Sequence, residues 1–269
     1  MFRKQIVLLT KINPENIEFQ LPSTKKDNDK GAKFFNMFYN INGKKTLINI
    51  QLPKLIAPFG LSGYTDEKSG VTNYSIPLEI PEDTKAFMIL KEIETKALQF
   101  VVDNVDFFYK KKIEKENVRA YAKEFIKVDE ESKYPANISI KMKFQKDSAE
   151  NFEARADIIT EVPNEEPLVE ENQTLNIDSA HQYINKRCEI QSVINAYGYQ
   201  VDTKYGVSLK AINLRIWTNG DDSNAFLEDS ESEDVIDSET EEVIEEPETE
   251  EVVETVEPTK KSRKKKSEE

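Results

Sequence analysis

Residues 188–217 read CEIQSVINAYGYQVDTKYGVSLKAINLRIW, and this stretch decides the fold. β-branched and aromatic residues fill both of its halves, which predicts two long β-strands joined by a turn near Asp202-Thr203. In the second half the apolar residues keep one parity up to Ala211 and the opposite parity from Ile212 onward. Because side chains alternate along a strand, this change of parity predicts a β-bulge or a barrel bend.

Strand patterns continue upstream of this hairpin. ANISIKMKF at 136–144 alternates apolar and polar residues, and FEARADIIT at 152–160 is its expected partner. NYSIPLEI at 73–80 alternates in the same way. KFFNMFYNINGKKTLINIQLP at 33–53 places Asn42-Gly43, a strong hairpin signal, between two β-prone runs.

The stretch QLPKLIAPFGLSGY at 51–64 interrupts the strand pattern. Pro58 fixes its own φ and disfavours helix at the residue before it, whereas Gly60 and Gly63 permit a positive φ. We therefore expect a buried structural corner that crosses from the first hairpin to the strand at 73–80.

Residues 82–127 have a helical texture. Apolar residues recur at three- and four-residue spacing from Phe87 to Phe108, and a second helix is expected at about 115–127. Strands therefore precede and follow a helical excursion. This order predicts an α+β, mostly β fold: an OB-fold-like antiparallel β-barrel with a helical insertion at about 82–127.

The charge is distributed unevenly along the chain. The net charge is -14, yet the 31 acidic and 31 basic residues of 1–220 cancel, whereas 221–269 holds 20 acidic and 6 basic residues. A segment this acidic and this poor in bulky apolar residues cannot offset its ordering entropy by burial. The sequence thus predicts one folded domain at 1–218 and a disordered acidic tail at 219–269, which ends in a basic cluster.

Catalytic signatures are weak in this sequence. The chain has one histidine, His181, and one cysteine, Cys188, and it lacks a Walker A motif, a dinucleotide-binding glycine pattern and G-x-S-x-G. We therefore expect a non-enzymatic protein without cofactor or metal. No apolar run reaches the length of a membrane span, so we expect a soluble intracellular protein.

Binding fits the residue types better, because aromatic residues stand beside basic ones at several places. Rings stack on bases and cations neutralise phosphates, which is how single-stranded nucleic acid is held. The competing interpretation places most of these rings in the core and leaves the lysines merely solvated. The candidate nucleic-acid-binding residues are Lys44, Lys45, Lys54, Tyr64, Lys141, Lys143, Tyr205, Lys210 and Arg215.

Five segments together resemble a family of OB-fold-like proteins of nucleocytoplasmic large DNA viruses, related to the single-stranded-DNA-binding protein of African swine fever virus. The segments are LINIQLPKLIAPFGLSGY, YSIPLEI, FVVDNVDFF, KYPANISIKMKF and KYGVSLKAINLRIW. The resemblance covers roughly residues 30–217 and implies an OB-fold and single-stranded DNA as the ligand. It assigns no individual residue to DNA contact.

These observations predict a sequence-tolerant single-stranded-DNA-binding protein of a large DNA virus that supports genome replication or repair. We expect it in the host cytoplasm (the viral factory), the nucleus or the virion, and self-association stays open. The acidic tail is expected to recruit replication proteins and to compete with nucleic acid, so that its removal strengthens binding. The alternatives are a virion or scaffolding protein whose tail recruits partners, and a transcription regulator that prefers duplex DNA.

Overall fold

The structure is a computed structural model that describes residues 5–21, 32–67, 69–109, 113–129, 131, 133–162 and 164–219. From residue 220 on, the predicted acidic tail lies outside the described residues. Its disorder therefore stays a prediction. Within the described part, no helix is long and apolar enough to cross a membrane.

The described residues form fifteen strands in one sheet system and three α-helices. The strands are β1 (Gln5–Leu8), β2 (Ile17–Gln20), β3 (Lys33–Ile41), β4 (Lys44–Thr46), β5 (Ile48–Ala57), β6 (Ser62–Thr65), β7 (Thr72–Glu79), β8 (Ala122–Lys123), β9 (Ile126–Lys127), β10 (Asn137–Met142), β11 (Phe144–Gln145), β12 (Ser148–Glu161), β13 (Leu168–Asn176), β14 (Cys188–Val201) and β15 (Lys204–Asn219). The helices are α1 (Lys85–Asp103), α2 (Val105–Tyr109) and α3 (Ile177–Tyr183).

The predicted long hairpin is present as β14 and β15, which pair along their whole length. The turn between them places Asp202 at φ 52°, a left-handed conformation that Asp tolerates. The register shifts where Val193 pairs with Asn213 and Ile194 pairs with Ala211, so that Ile212 is the extra residue. The parity change in the sequence therefore predicted the β-bulge correctly.

The other strands assemble on the two free edges of this hairpin. On one side, β14 pairs with β5 over its first half and with β3 near its end. On the other side, β15 pairs in parallel with β8, β10 and β12, and β10 continues to β7 and β6. The sheet is thus mixed and open, and the predicted closed antiparallel barrel is wrong. The mostly β, α+β character agrees with the prediction.

One face of the sheet carries the core. Helix α1 begins at Lys85, three residues into the predicted helical stretch, with the Thr84 hydroxyl accepting a hydrogen bond from the Phe87 N–H, and its apolar stripe is buried. The rings of Phe100 in α1, Phe108 in α2 and Phe35 in β3 meet edge-on or tilted. The expected second helix at 115–127 is replaced by a 3₁₀ turn and the short strands β8 and β9.

The expected corner at 51–64 is largely strand. Residues up to Ala57 belong to β5, and Pro53 is tolerated because it lies beyond the last residue paired with β1 and at a register shift against β14. The chain then turns at Pro58-Phe59-Gly60, where Phe59 is exposed, so the prediction that the corner is buried is wrong at this residue. Gly60 has the expected positive φ, 66°, and a Cβ there would lie 2.5 Å from the Ile184 carbonyl oxygen, whereas Gly63 lies in β6 without a positive φ.

Candidate nucleic-acid interface

The β14–β15 hairpin presents a second face, opposite the core. Alternate residues of β14 are buried from Cys188 to Gln200, so the residues between them, from Glu189 to Val201, lie on the outer face. Cross-strand pairing puts Trp217 opposite Glu189 and Lys204 opposite Val201 on that same face. Neighbouring strands extend it on both sides of the hairpin.

We call the part of this face near the hairpin turn the aromatic–lysine surface; it comprises Phe34, Tyr197, Tyr199, Lys141 and Lys143. The Lys141 Nζ lies 5.4 Å from the centre of the Tyr199 ring, and the Lys143 Nζ lies 5.3 Å from that of Tyr197. Phe34 is 51% exposed, and its ring centre is 5.9 Å from that of Tyr197. Three rings and two cations therefore share one patch.

Both lysines of this surface are free of ion pairs with the described carboxylates. An ammonium group above an aromatic ring is attracted by the ring's negative face and keeps donors for another ligand. Burial raises the pKa of the Tyr197 hydroxyl, whereas the Ser208 hydroxyl and the ammonium groups of Lys143 and Lys141 lower it, and the net pKa is below its ordinary value. The positive charge of both lysines therefore acts on the Tyr197 hydroxyl.

Two glycines allow the tyrosines to sit where they do. A Cβ at Gly198 would lie 1.9 Å from the Phe35 ring on the core side. A Cβ at Gly206 would lie 2.5 Å from the Lys123 carbonyl oxygen and 3.3 Å from the Tyr199 hydroxyl. Gly198 therefore leaves space for the Phe35 ring on the core side, and Gly206 leaves space for the Lys123 carbonyl and the Tyr199 hydroxyl.

The other end of the outer face, which we call the paired-charge surface, has cations and a ring as well, but its cations carry acidic partners. Lys54 forms an ion pair with Glu189 while its Nζ lies 4.3 Å from the centre of the Trp217 ring. Arg215 lies 3.6 Å from an Asp157 carboxylate oxygen. These carboxylates already neutralise the two cations that would otherwise bind a phosphate.

Lys210 stands between the two surfaces. Its backbone pairs in parallel with Lys141, which places both side chains on the outer face. Lys210 is half-buried and forms an ion pair with Glu153 of β12. Glu153 therefore ends the positive patch on the side of the paired-charge surface.

The remaining candidates are scattered. Lys44 is exposed, Lys45 lies 2.5 Å from a Glu18 carboxylate oxygen, and Tyr64 is 67% exposed on β6 at the edge of the sheet. Tyr205 is 1% exposed, so the prediction that it stacks on a base is wrong. It pairs with Gln200 on the core face, and burial raises the pKa of its hydroxyl to about 12.

The sequence analysis named Lys141 and Lys143 as candidates, but it did not name the Tyr199 and Tyr197 rings over which they lie. The available signal was Tyr197-Gly198-Tyr199, in which two aromatic residues share one parity of a strand whose other parity is apolar or small. Phe34 could not be placed from local pattern, because its position beside Tyr197 depends on pairing between β3 and β14.

The structure places the one histidine of the sequence on α3 and the one cysteine on β14. His181 is exposed on α3, and its ring centre lies 6.3 Å from that of Tyr74. Cys188 is buried, and burial raises the pKa of its thiol to about 11, so the thiol is protonated at neutral pH.

Comparison with solved structures finds distant neighbours. One is the single-stranded DNA-binding protein from bacteriophage Enc34 in complex with ssDNA, with 16% identity, a TM-score of 0.32, and coverage of 75% of this chain and 96% of that chain. A second structure of that phage protein has 18% identity and a TM-score of 0.32, and it covers 61% and 78% of the two chains. No family model and no curated protein matches the chain.

Proposed function

We propose that this protein binds single-stranded DNA on the aromatic–lysine surface. The observation that carries the proposal is that Lys141 and Lys143 lie over the rings of Tyr199 and Tyr197 without forming ion pairs with the described carboxylates. Flat rings accept unstacked bases of any identity, and adjacent ammonium groups neutralise the linking phosphates. This combination favours sequence-tolerant binding without chemistry on the strand.

The proposal extends to the biological setting expected from the sequence. A non-enzymatic binding protein of this kind protects strands exposed during replication or repair, and the resemblance to proteins of large DNA viruses suggests a viral genome as the substrate. Its site of action is then the viral factory in the cytoplasm, the nucleus or the virion. Replication proteins remain the proposed partners of the acidic tail.

Fluorescence anisotropy of a labelled oligo-dT, titrated with the full chain at several salt concentrations, tests the proposal. Affinity is expected to fall steadily between about 50 and 200 mM salt, because bound lysines displace counterions from the strand. Unlabelled oligo-dT is expected to compete more strongly than duplex DNA of equal length. Absence of binding, or binding that salt leaves unchanged, would contradict the proposal, and stronger competition by the duplex would favour the transcription-regulator alternative.

A further inference from the structure

A cleft of about 360 Å³ lies beside the Pro58-Phe59-Gly60 turn, and we call it the PFG cleft. Three of its lining side chains are unusually exposed for apolar residues: Phe59 at 68%, Tyr134 at 62% and Val128 at 42%. Exposed rings that converge on one cleft are more informative than single apolar residues scattered over a surface. The cleft therefore requires an explanation of its own.

Backbone contacts hold the first wall of the PFG cleft in place. The Leu61 N–H donates to the Ile184 carbonyl at 3.0 Å, which fixes the turn that carries Phe59. Arg187 adopts a left-handed conformation, φ 67°, and its N–H donates to the Ala57 carbonyl at 2.7 Å. Such a conformation is uncommon for a residue with a side chain and persists where the surroundings enforce it.

The second wall is held by a carboxylate. Asp129 accepts hydrogen bonds from the N–H groups of Lys133 and Tyr134 at 3.0 and 3.1 Å, which shapes the turn that presents the Tyr134 ring. The Lys133 Nζ lies 5.5 Å from the centre of that ring. One of the acidic residues at the cleft is therefore engaged in positioning an aromatic residue.

The lining of the PFG cleft contains three cations and two carboxylates, those of Glu79 and Asp129. Lys127, Lys186 and Arg187 line the cleft and are exposed, and none of them forms an ion pair with a described carboxylate. Exposed rings beside unpaired cations thus occur at two places. The complementary ligand is a polyanion that carries flat groups.

The PFG cleft is continuous with the outer face. Lys186 and Arg187 also line a larger cavity of about 810 Å³, whose other wall includes Ile56, Glu189 and Trp217 of the outer face. Asn137 also lines the cleft, and it lies on β10 four residues before Lys141, which corresponds to about 13 Å at about 3.3 Å per residue. A stacked single strand covers that distance with about four nucleotides at about 3.4 Å each.

We infer that the PFG cleft is a second subsite for the same single strand, with Phe59 and Tyr134 contacting bases and Lys186 and Arg187 contacting phosphates. The inference rests on the proposed function and deepens it. An oligonucleotide of about three nucleotides reaches one surface only, whereas one of about 25 nucleotides reaches both and gains affinity through the tethered second contact.

The experiment compares the full-length protein with a cleft variant, Phe59→Ala combined with Lys186→Ala, by anisotropy on labelled oligo-dT of about 3 and about 25 nucleotides. Both side chains are exposed, so the fold is expected to tolerate their loss. The cleft variant should bind the longer oligonucleotide about tenfold more weakly and the shorter one as before. A control, Leu168→Ala combined with Lys11→Ala, removes an exposed apolar residue and an exposed cation elsewhere and should change neither affinity.

Three possible results distinguish failure of the proposed function from failure of the second subsite. If the wild-type protein binds neither oligonucleotide, the proposed function itself fails. If it binds both and the cleft variant keeps full affinity for the longer one, the second subsite is overturned while the proposed function stands. If an Asp- and Glu-rich peptide carrying valines binds the wild type but not the cleft variant, and leaves oligonucleotide binding unaffected, the cleft is a protein-docking site and the inference is overturned.

Discussion

The two ends of the hairpin's outer face contain the same kinds of residue in opposite electrostatic states. Near the turn, Lys141 and Lys143 lie over tyrosine rings and form no ion pair with a described carboxylate. Near the base, Lys54 also lies over a ring, but Glu189 neutralises it. The comparison teaches that the number of cations on a sheet says little about anion binding. What matters is whether a carboxylate already holds each cation.

The largest effect should come from removing the flat rings of the aromatic–lysine surface. Tyr197→Leu combined with Tyr199→Leu keeps apolar volume on β14 but removes the stacking platform. Because stacking contributes roughly 1–3 kcal/mol per base, we expect oligo-dT affinity to fall by about tenfold or more. Anisotropy measures the change, and thermal unfolding checks that the fold is intact. An equal loss from Trp217→Leu alone would contradict the distinction between the two surfaces.

Removing the unpaired cations should have the next largest effect. Lys141→Gln combined with Lys143→Gln removes the two ammonium groups that we propose to contact phosphate, so the slope of log affinity against log salt should become shallower by about 1.4. Lys54→Gln combined with Arg215→Gln removes the same charge from the paired-charge surface. We expect that pair to change the slope by much less, because Glu189 and Asp157 already hold those cations. Equal changes from both pairs would show that ion pairing does not decide binding.

A smaller gain is expected from releasing Lys210. Glu153→Gln removes the carboxylate partner while keeping the size of the side chain. The freed ammonium then adjoins Lys141 and extends the positive patch, so affinity for oligo-dT should rise about two- to threefold at low salt. The double variant Glu153→Gln with Lys210→Gln is the matched control and should lose the gain. Unchanged affinity in the single variant would mean that the strand does not reach Lys210.

The smallest effect on binding should follow a change in the core. Tyr205→Phe removes a buried hydroxyl that has no hydrogen-bond partner among the described groups. Oligo-dT affinity should stay unchanged, and the free energy of unfolding should rise by up to about 1 kcal/mol, because the cost of burying that hydroxyl disappears. Chemical denaturation and anisotropy measure the two quantities. Weaker DNA binding at unchanged stability would restore Tyr205 as a contact residue.

Local signals in the sequence predicted the local elements well. Asn42-Gly43 marked the β3–β4 turn, the parity change at Ile212 marked the bulge, and the apolar stripe marked α1. The arrangement of the strands was not predictable in this way. Parallel pairing of β8, β10 and β12 with β15 joins segments far apart in the chain, and no periodicity within a segment records its partner.

The same distinction applies to the candidate site. Lys141 and Lys143 follow from the alternation of one strand, since Ile140 and Met142 occupy the opposite parity. The ion pairs that neutralise Lys54 and Lys210 involve carboxylates on other strands, so they appear only once the sheet is assembled. Tyr205 was misassigned because an aromatic residue beside a lysine has the same sequence pattern whether its ring points inward or outward.

The position of β15 in the sheet has a consequence for biosynthesis. β8, β10 and β12 are made before β15, yet each uses it as a partner, and β3 and β5 depend in the same way on β14. During synthesis, the edges of these earlier strands that pair with β14 or β15 therefore lack a partner until residues 188–219 have left the ribosome. Long-range pairing of this kind slows folding and exposes the nascent chain to aggregation, so a chaperone that shields strand edges should raise the yield of native protein.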